Sequence, residues 1–222
     1  MRALNYKPYI KPKNSISGCW SGHVPFAQWL IDRLRPKTIV ELGVYSGCSY
    51  FAFCHAVKML KLETKCIGVD TWEGDPFSNW DGKYTGEIFK EVLKIRDAEY
   101  AFAELWRMTF DEAAKKEIPP INILHIDGYH TYDAVKHDYE TWLPKMAQNS
   151  VVLLHDTQAG APFGVKQLLA EIRTGTKTQP HKVFEFYHSW GLGVVFIGEP
   201  CIPEMFTDPD EVQNFFQTLG EK

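Results

Sequence analysis

The chain has 222 residues, of which 45% are hydrophobic and 23% charged, with a formal net charge of -4. That length suits one well-buried domain, and the balance is that of a soluble globular protein. The acidic surplus argues against a nucleic-acid partner, and the pattern excludes two further classes: no apolar run reaches the roughly eighteen residues of a membrane span, and the N-terminus lacks a basic-then-apolar export signal. Five cysteines, Cys19, Cys48, Cys54, Cys66 and Cys201, form no C-x-x-C pair. Reduced, packed thiols and a cytoplasmic location are the expectation.

Met1 to Ser21 carries prolines and lysines without periodicity and reads as an arm or lid on a single domain spanning residues 1–222. His23 to Leu34 has Phe26, Leu30, Ile31 and Leu34 at helical spacing, with Pro36 stopping the helix. This places Trp20 and His23 beside the first strand, where a packed role competes with a substrate contact. Thr38 to Leu42 is then a buried strand, followed by Gly43 and Gly47 and by a helix that begins near Ser46 to Ser49. A strand, a glycine turn and a helix form a cradle for a nucleotide-like ligand, because bare backbone approaches it closely and the helix N-terminus offers unpaired N–H groups. Tyr45 stands where a dinucleotide fingerprint needs its second glycine. The pattern E-L-G-x-x-x-G instead resembles the first motif of class I methyltransferases that use S-adenosylmethionine.

Lys65 to Val69 is a second strand, and Asp70 at its tip is placed to accept hydrogen bonds from ribose hydroxyls. Thr71 to Thr85 reads as a long functional loop, in which Trp72 could lie against an adenine face and Trp80 and Tyr84 could line an acceptor pocket; each ring could equally pin the loop down. Glu87 to Ile95 and Ala98 to Trp106 read as helical or mixed, with a third strand near Trp106 to Met108 and Asp111 just beyond it, near the adenine position.

Ile121 to Ile126 is the next buried strand and runs into Asp127, Gly128, Tyr129 and His130. A helix follows, with Tyr132, Val135, Tyr139 and Trp142 on one face. His137 and Asp138 on that helix read as surface or outer supporting groups, and Tyr132 as core. Ser150 to Leu154 is another strand, ending in His155 and Asp156. Parallel strands would deliver Asp127 and Asp156 to one carboxyl edge, where two carboxylates with neighbouring imidazoles suit a hard divalent cation such as Mg²⁺.

The segments HIDGYHTYDAVKHDYETWLP and VVLLHDT resemble the metal-dependent sugar O-methyltransferases of macrolide and aminocoumarin pathways. That resemblance implies a three-layer, Rossmann-like α/β methyltransferase sheet, mostly parallel with a C-terminal antiparallel strand pair. It implies that Glu41, Gly43, Gly47 and Asp70 bind S-adenosylmethionine, with Ser49, Trp72 and Asp111 as further candidates from their positions. It also implies a cation, Mg²⁺ by expectation, on Asp127 and Asp156, and His130 as the base acting on a hydroxyl of a sugar or other small-molecule acceptor. Some relatives have an acid where His155 stands, and His155 is the third candidate ligand. Two alternatives remain open at this point: a non-haem iron oxygenase using His130, His155 and an Asp, and a ligand-binding module without chemistry.

The C-terminal third reads as a helix over Phe163 to Ile172, strands over Lys182 to Tyr187 and Leu192 to Ile197, and a last amphipathic helix over Phe206 to Leu219, a candidate homo-oligomer contact.

Overall fold

The computed structural model describes residues 20–74, 86–176, 180–199 and 202–220. Trp80 and Tyr84, Cys19 and Cys201, and the arm over residues 1–19 lie outside the described residues. A short 3-10 turn, Ser21–His23, leads into α1, Val24–Leu34. The strands are β1, Thr38–Leu42; β2, Lys65–Asp70; β3, Glu104–Arg107; β4, Ile121–Ile126; β5, Met146–His155; β6, Lys182–Phe186; and β7, Leu192–Ile197. The remaining helices are α2, Cys48–Met59; α3, Gly86–Glu99; α4, Phe110–Ala114; α5, Tyr132–Trp142; α6, Val165–Thr174; α7, Glu204–Thr207; and α8, Pro209–Gly220.

The strands form one sheet in the order β3-β2-β1-β4-β5-β7-β6. The first five pair in parallel, and β7 is antiparallel to both β5 and β6. Strand order reverses between β1 and β4, and in such sheets ligands bind beyond the carboxyl ends at that crevice. Strand alternation sends Ile39, Ile123, Val151 and Leu153 to a core shared with α1, α2, α3 and α8, and Val40, Leu124, Val152 and Leu154 to a core shared with α5 and α6. Both faces are therefore covered, which is why these strands read as unbroken apolar runs.

Several local readings change, among them the start of β3 at Glu104 and of β5 at Met146. The segment from Ala98 is not a second helix: α3 ends at Glu99, and Tyr50 Oη donates to the Glu104 and Cys66 carbonyls across β2 and β3. The last helix is two, divided at Asp208 because a residue preceding proline is pushed out of helical geometry; Asp208 has φ -144 and ψ 75. Asp138 is buried, not a surface group. Among the described residues no helix is long and apolar enough to cross a membrane, and Cys48, Cys54 and Cys66 are free thiols.

Candidate active site

The β1 tip turns at Gly43 with φ +94, and a Cβ there would stand 2.0 Å from the Asp127 carbonyl oxygen. Glycine is required at this point because the β1 turn lies directly on the β4 tip, an approach further tied by the Asp127 N–H donating to the Leu42 carbonyl at 2.8 Å. The turn closes on Gly47, the left-handed residue before α2, and no side chain caps that helix. Its first amide groups are left for another partner.

Asp70, at the β2 tip, accepts the Tyr45 amide on Oδ2 at 2.8 Å and the Trp72 amide on Oδ1 at 2.7 Å. Burial raises its pKa against these bonds. Each carboxylate oxygen still has a second lone pair, so the two amides fix its direction without exhausting it. Trp72 itself is buried; its indole N–H donates to the Tyr45 carbonyl and its ring lies 4.5 Å from that of Phe89. It fastens the loop to the glycine turn. Asp111 sits in the first turn of α4, where its exposed carboxylate meets His137 Nε2 at 2.8 Å. The structure does not bring it to the strand-tip cluster.

Glu41 is fully buried. Ser49, in the first turn of α2, donates to its Oε1, and His125 Nδ1, on the neighbouring register position of β4, lies 3.5 Å from its Oε2. Trp20 Nε1 donates to His125 Nε2 at 3.0 Å, which assigns the His125 proton to Nδ1, facing Glu41. Burial pushes Glu41 up, and His125 and Ser49 counter it. Glu41 and Ser49 are thus parts of an internal relay that braces the helix start from behind.

At the β4 and β5 tips the groups converge. Asp127 Oδ1 is 3.2 Å from His130 Nε2 and 3.1 Å from His155 Nδ1. Asp156 Oδ2 lies 3.3 Å from His130 Nε2, and its Oδ1 lies 3.2 Å from His155 Nδ1. The possible ligand atoms of Asp127, His130 and Asp156 fall within 4.8 Å of one another, and Asp156 Oδ1 is buried without a hydrogen bond. Burial lifts Asp127, but His155 and His130 outweigh it and hold the carboxyl well below its ordinary value; burial raises Asp156. Burial pulls His155 down, yet Asp127, Asp156 and the Ser189 carbonyl together push it up to about 9, while His130 is raised in the same way by the two carboxylates. The two carboxylates thus favour the charged form of both imidazoles between them. His130 Nε2 stands within reach of both carboxylates, and its ring edge meets Phe163.

Sequence reading missed Ser189, whose carbonyl accepts from His155 Nε2 at 3.1 Å and His23 Nε2 at 3.2 Å. It also missed His125, although a histidine inside an otherwise apolar strand, opposite a strand-borne Glu, is a readable signal. Nothing in sequence marks a backbone carbonyl. Trp20 and His23, weighed earlier between packing and substrate contact, are both buried.

A parallel sheet with its antiparallel edge pair, a glycine turn at the first strand tip and acids at the β2, β4 and β5 tips define the class I methyltransferase fold. Residues 40–157 match the family model described as a methyltransferase domain, and the chain belongs to that family. The match is to a methyltransferase domain and lends no support to the oxygenase alternative. The chain is similar to the uncharacterized protein y4gI of Sinorhizobium fredii, at 43% identity over 182 residues, covering 81% of this chain and 19% of that protein. It thus spans about a fifth of the length of the curated relative it matches. Among solved structures it resembles the O-methyltransferase NovP, with a TM-score of 0.62 at 15% identity over 80% of each chain. It also resembles SAH-bound PaMTH1 of Podospora anserina, with a TM-score of 0.59 at 14% identity over 80% of this chain and 78% of that one. The SAH complex of the O-methyltransferase from Bacillus cereus gives a TM-score of 0.55 at 12% identity over 84% of each chain.

Proposed function

We propose that the protein is an S-adenosylmethionine-dependent O-methyltransferase that acts on a hydroxyl of a sugar or other small natural product, assisted by a divalent cation. The observation that carries this reading is the meeting of four strand tips: the Gly43 turn touches Asp127, Asp70 holds the Tyr45 amide, and Asp127 and Asp156 share His130 and His155. The names of the solved relatives NovP and the Bacillus cereus enzyme, both O-methyltransferases, support the choice of oxygen.

The residues present fit the cofactor. The uncapped N-terminus of α2, with the Gly43 and Gly47 turn, suits the cofactor carboxylate, and the fixed Asp70 carboxylate suits ribose hydroxyls. Ser49 and Glu41 would act by bracing that turn. S-adenosylmethionine, when bound, supplies an electrophilic methyl on a sulfonium. The residues also fit a cation: Asp127 and Asp156 converge, and Asp156 Oδ1 is buried without a hydrogen bond, facing His155 Nδ1 at 3.2 Å. A cation held there would lower the pKa of a bound hydroxyl.

His130 Nε2 is the atom assigned to remove the acceptor proton, since it lies beside both carboxylates and they stabilise the imidazolium that results. Asp127 and Asp156 directly follow β4 and β5, and His130 in the loop after β4 is held between them, so the acceptor oxygen is presented in a fixed direction. The test is transfer of labelled methyl from S-adenosylmethionine to a panel of glycosides and phenols, run with chelator and with divalent cations restored. Absence of SAH binding by calorimetry would sink the cofactor reading. Full turnover in chelator would sink the metal reading alone.

A further inference from the structure

Two imidazoles flank the same pair of carboxylates, and their surroundings differ. His155 has only 3% of its side chain exposed, against 15% for His130. Its Nε2 faces the Ser189 carbonyl at 3.1 Å, and a carbonyl oxygen can only accept, so Nε2 carries a proton. That leaves Nδ1 as the atom directed into the gap, 3.1 Å from Asp127 Oδ1 and 3.2 Å from Asp156 Oδ1. An imidazole whose far N–H is tied to a backbone carbonyl, while its near nitrogen faces converging carboxylates, has the arrangement that orients a metal-ligating histidine.

The support is built into the fold. Ser189 holds φ 49, Trp190 φ 67 and Gly191 φ 88, a run of left-handed residues in the β6–β7 turn. The Asp156 amide donates to the Gly191 carbonyl and the Gln158 amide to the Trp190 carbonyl, so the turn is stitched to the residues that follow β5. His23 Nε2, from the 3-10 turn before α1, donates to the same Ser189 oxygen. The geometry points to His155 Nδ1 as a ligand, giving this centre a mixed nitrogen and oxygen donor set that selects a first-row transition cation over Mg²⁺.

The inference rests on the cation reading proposed above and departs from the Mg²⁺ expectation. Mg²⁺ keeps to oxygen donors and water, whereas imidazole nitrogen strengthens binding along the series from Mn²⁺ to Co²⁺. His130, with the more open side chain, is left to carry protons.

The experiment uses the full chain with Mg²⁺, Mn²⁺ and Co²⁺ as probes. Calorimetry gives the ratio of Co²⁺ to Mg²⁺ affinity, and pulsed EPR of bound Mn²⁺ reports directly coupled ¹⁴N. The expected result is a nitrogen coupling that survives in His130→Gln and disappears in His155→Glu. The Co²⁺ to Mg²⁺ ratio should fall roughly tenfold or more in His155→Glu, which restores an all-oxygen set. His155→Gln, closer in size and uncharged, serves if the Glu variant loses SAH binding or its folded circular dichroism. A coupling lost in His130→Gln and kept in the His155 variant would overturn the assignment, as would an unchanged affinity ratio. Binding of no cation at all would overturn the metal reading with it, while Mg²⁺ bound without nitrogen would overturn only the inference made here.

Discussion

Gly43→Ala tests the contact on which the site depends. The new Cβ would stand 2.0 Å from the Asp127 carbonyl oxygen, 2.6 Å from its carbon and 3.1 Å from the Gly128 amide nitrogen, all backbone atoms that cannot rotate away. The β1 and β4 tips must separate by roughly 1 Å to restore ordinary contact, a repacking that costs about 1–3 kcal/mol. An alanine at φ +94 adds about 1–2 kcal/mol of backbone strain. The sum is about 2–5 kcal/mol, a melting temperature lower by roughly 4–20 °C in a chain of this size. Because Asp127 moves, its contacts to His155 at 3.1 Å and His130 at 3.2 Å lengthen too. Methyl transfer measured well below the melting temperature should therefore fall further than in Leu124→Ala, a core truncation of comparable cost on β4 whose side chain faces the α5 and α6 layer. A melting temperature within about a degree of wild type would refute the contact, since the strain and clash terms cannot both be absent. Equal activity loss in both variants would refute its link to the site.

His130→Ala should lower kcat by about two to four orders of magnitude while SAH affinity, measured by calorimetry, stays near wild type; retained turnover would instead favour a binding or structural role. Trp20→Phe keeps the buried ring packing but leaves His125 Nε2 without its donor, costing about 1–3 kcal/mol by denaturant titration; no loss would mean that the relay to Glu41 does not brace α2. Asp138 is buried with its pKa pushed up to about 7 by burial, against the pull of His137. The folded state therefore holds this proton more tightly than the unfolded one, so the stabilisation is full below the unfolded value near 4 and is lost as pH rises through about 7. Asp138→Asn should gain stability over wild type between pH 5 and pH 8, by an amount on the order of a few kcal/mol at most. A gap independent of pH would show that the carboxyl ionises freely in the folded chain.

The strands and most helices were legible because both faces of this sheet are covered, so the strands appear as apolar runs and the helices as stripes of period 3.6. Asp127 and Asp156 were legible as neighbours for a topological reason: parallel strands deliver their last residues to one edge, whatever separates them in sequence. The failures have physical causes as well. The first residues of β5, Met146 to Asn149, are polar or half exposed and gave no apolar signal, so the strand begins earlier than its pattern. The burial of Asp138 depends on the packing of α5 against its neighbours, and a single polar residue in a helix carries no mark of that. Glu41 looks like a ligand-facing acid from its place in the motif, but strand alternation turns it with Ile39 toward the α1 and α2 layer, where Trp20 and His125 complete its surroundings. Partners 105 residues apart leave no local periodicity to read.

Backbone strain gathers at the working edge of the sheet without being confined to it. Of the eight left-handed residues outside glycine among the described residues, Arg35, Lys61 and Asn149 lie away from the site, while Tyr45, Trp72, Asp156, Ser189 and Trp190 lie in loops at the carboxyl ends of the strands or in the β6–β7 turn that meets them. Each costs about 1–2 kcal/mol relative to relaxed backbone. The strain is held by bonds that converge on the site: the Tyr45 and Trp72 amides on Asp70, the Asp156 amide on the Gly191 carbonyl, and two imidazoles on the Ser189 carbonyl. None of these bonds lies in the strand ladder. A fold selected for stability alone would place glycine or asparagine at such positions; here Asp156 and Trp72 keep side chains that face the carboxylate cluster or lock the glycine turn. The core strands supply the stability that permits this, with Ile39, Leu124, Val152 and Val195 all fully buried and each contributing about 1.5–3 kcal/mol. The edge is strained and tied down at once by these bonds, and the proposed in-line transfer to one oriented hydroxyl would require groups held in such fixed directions.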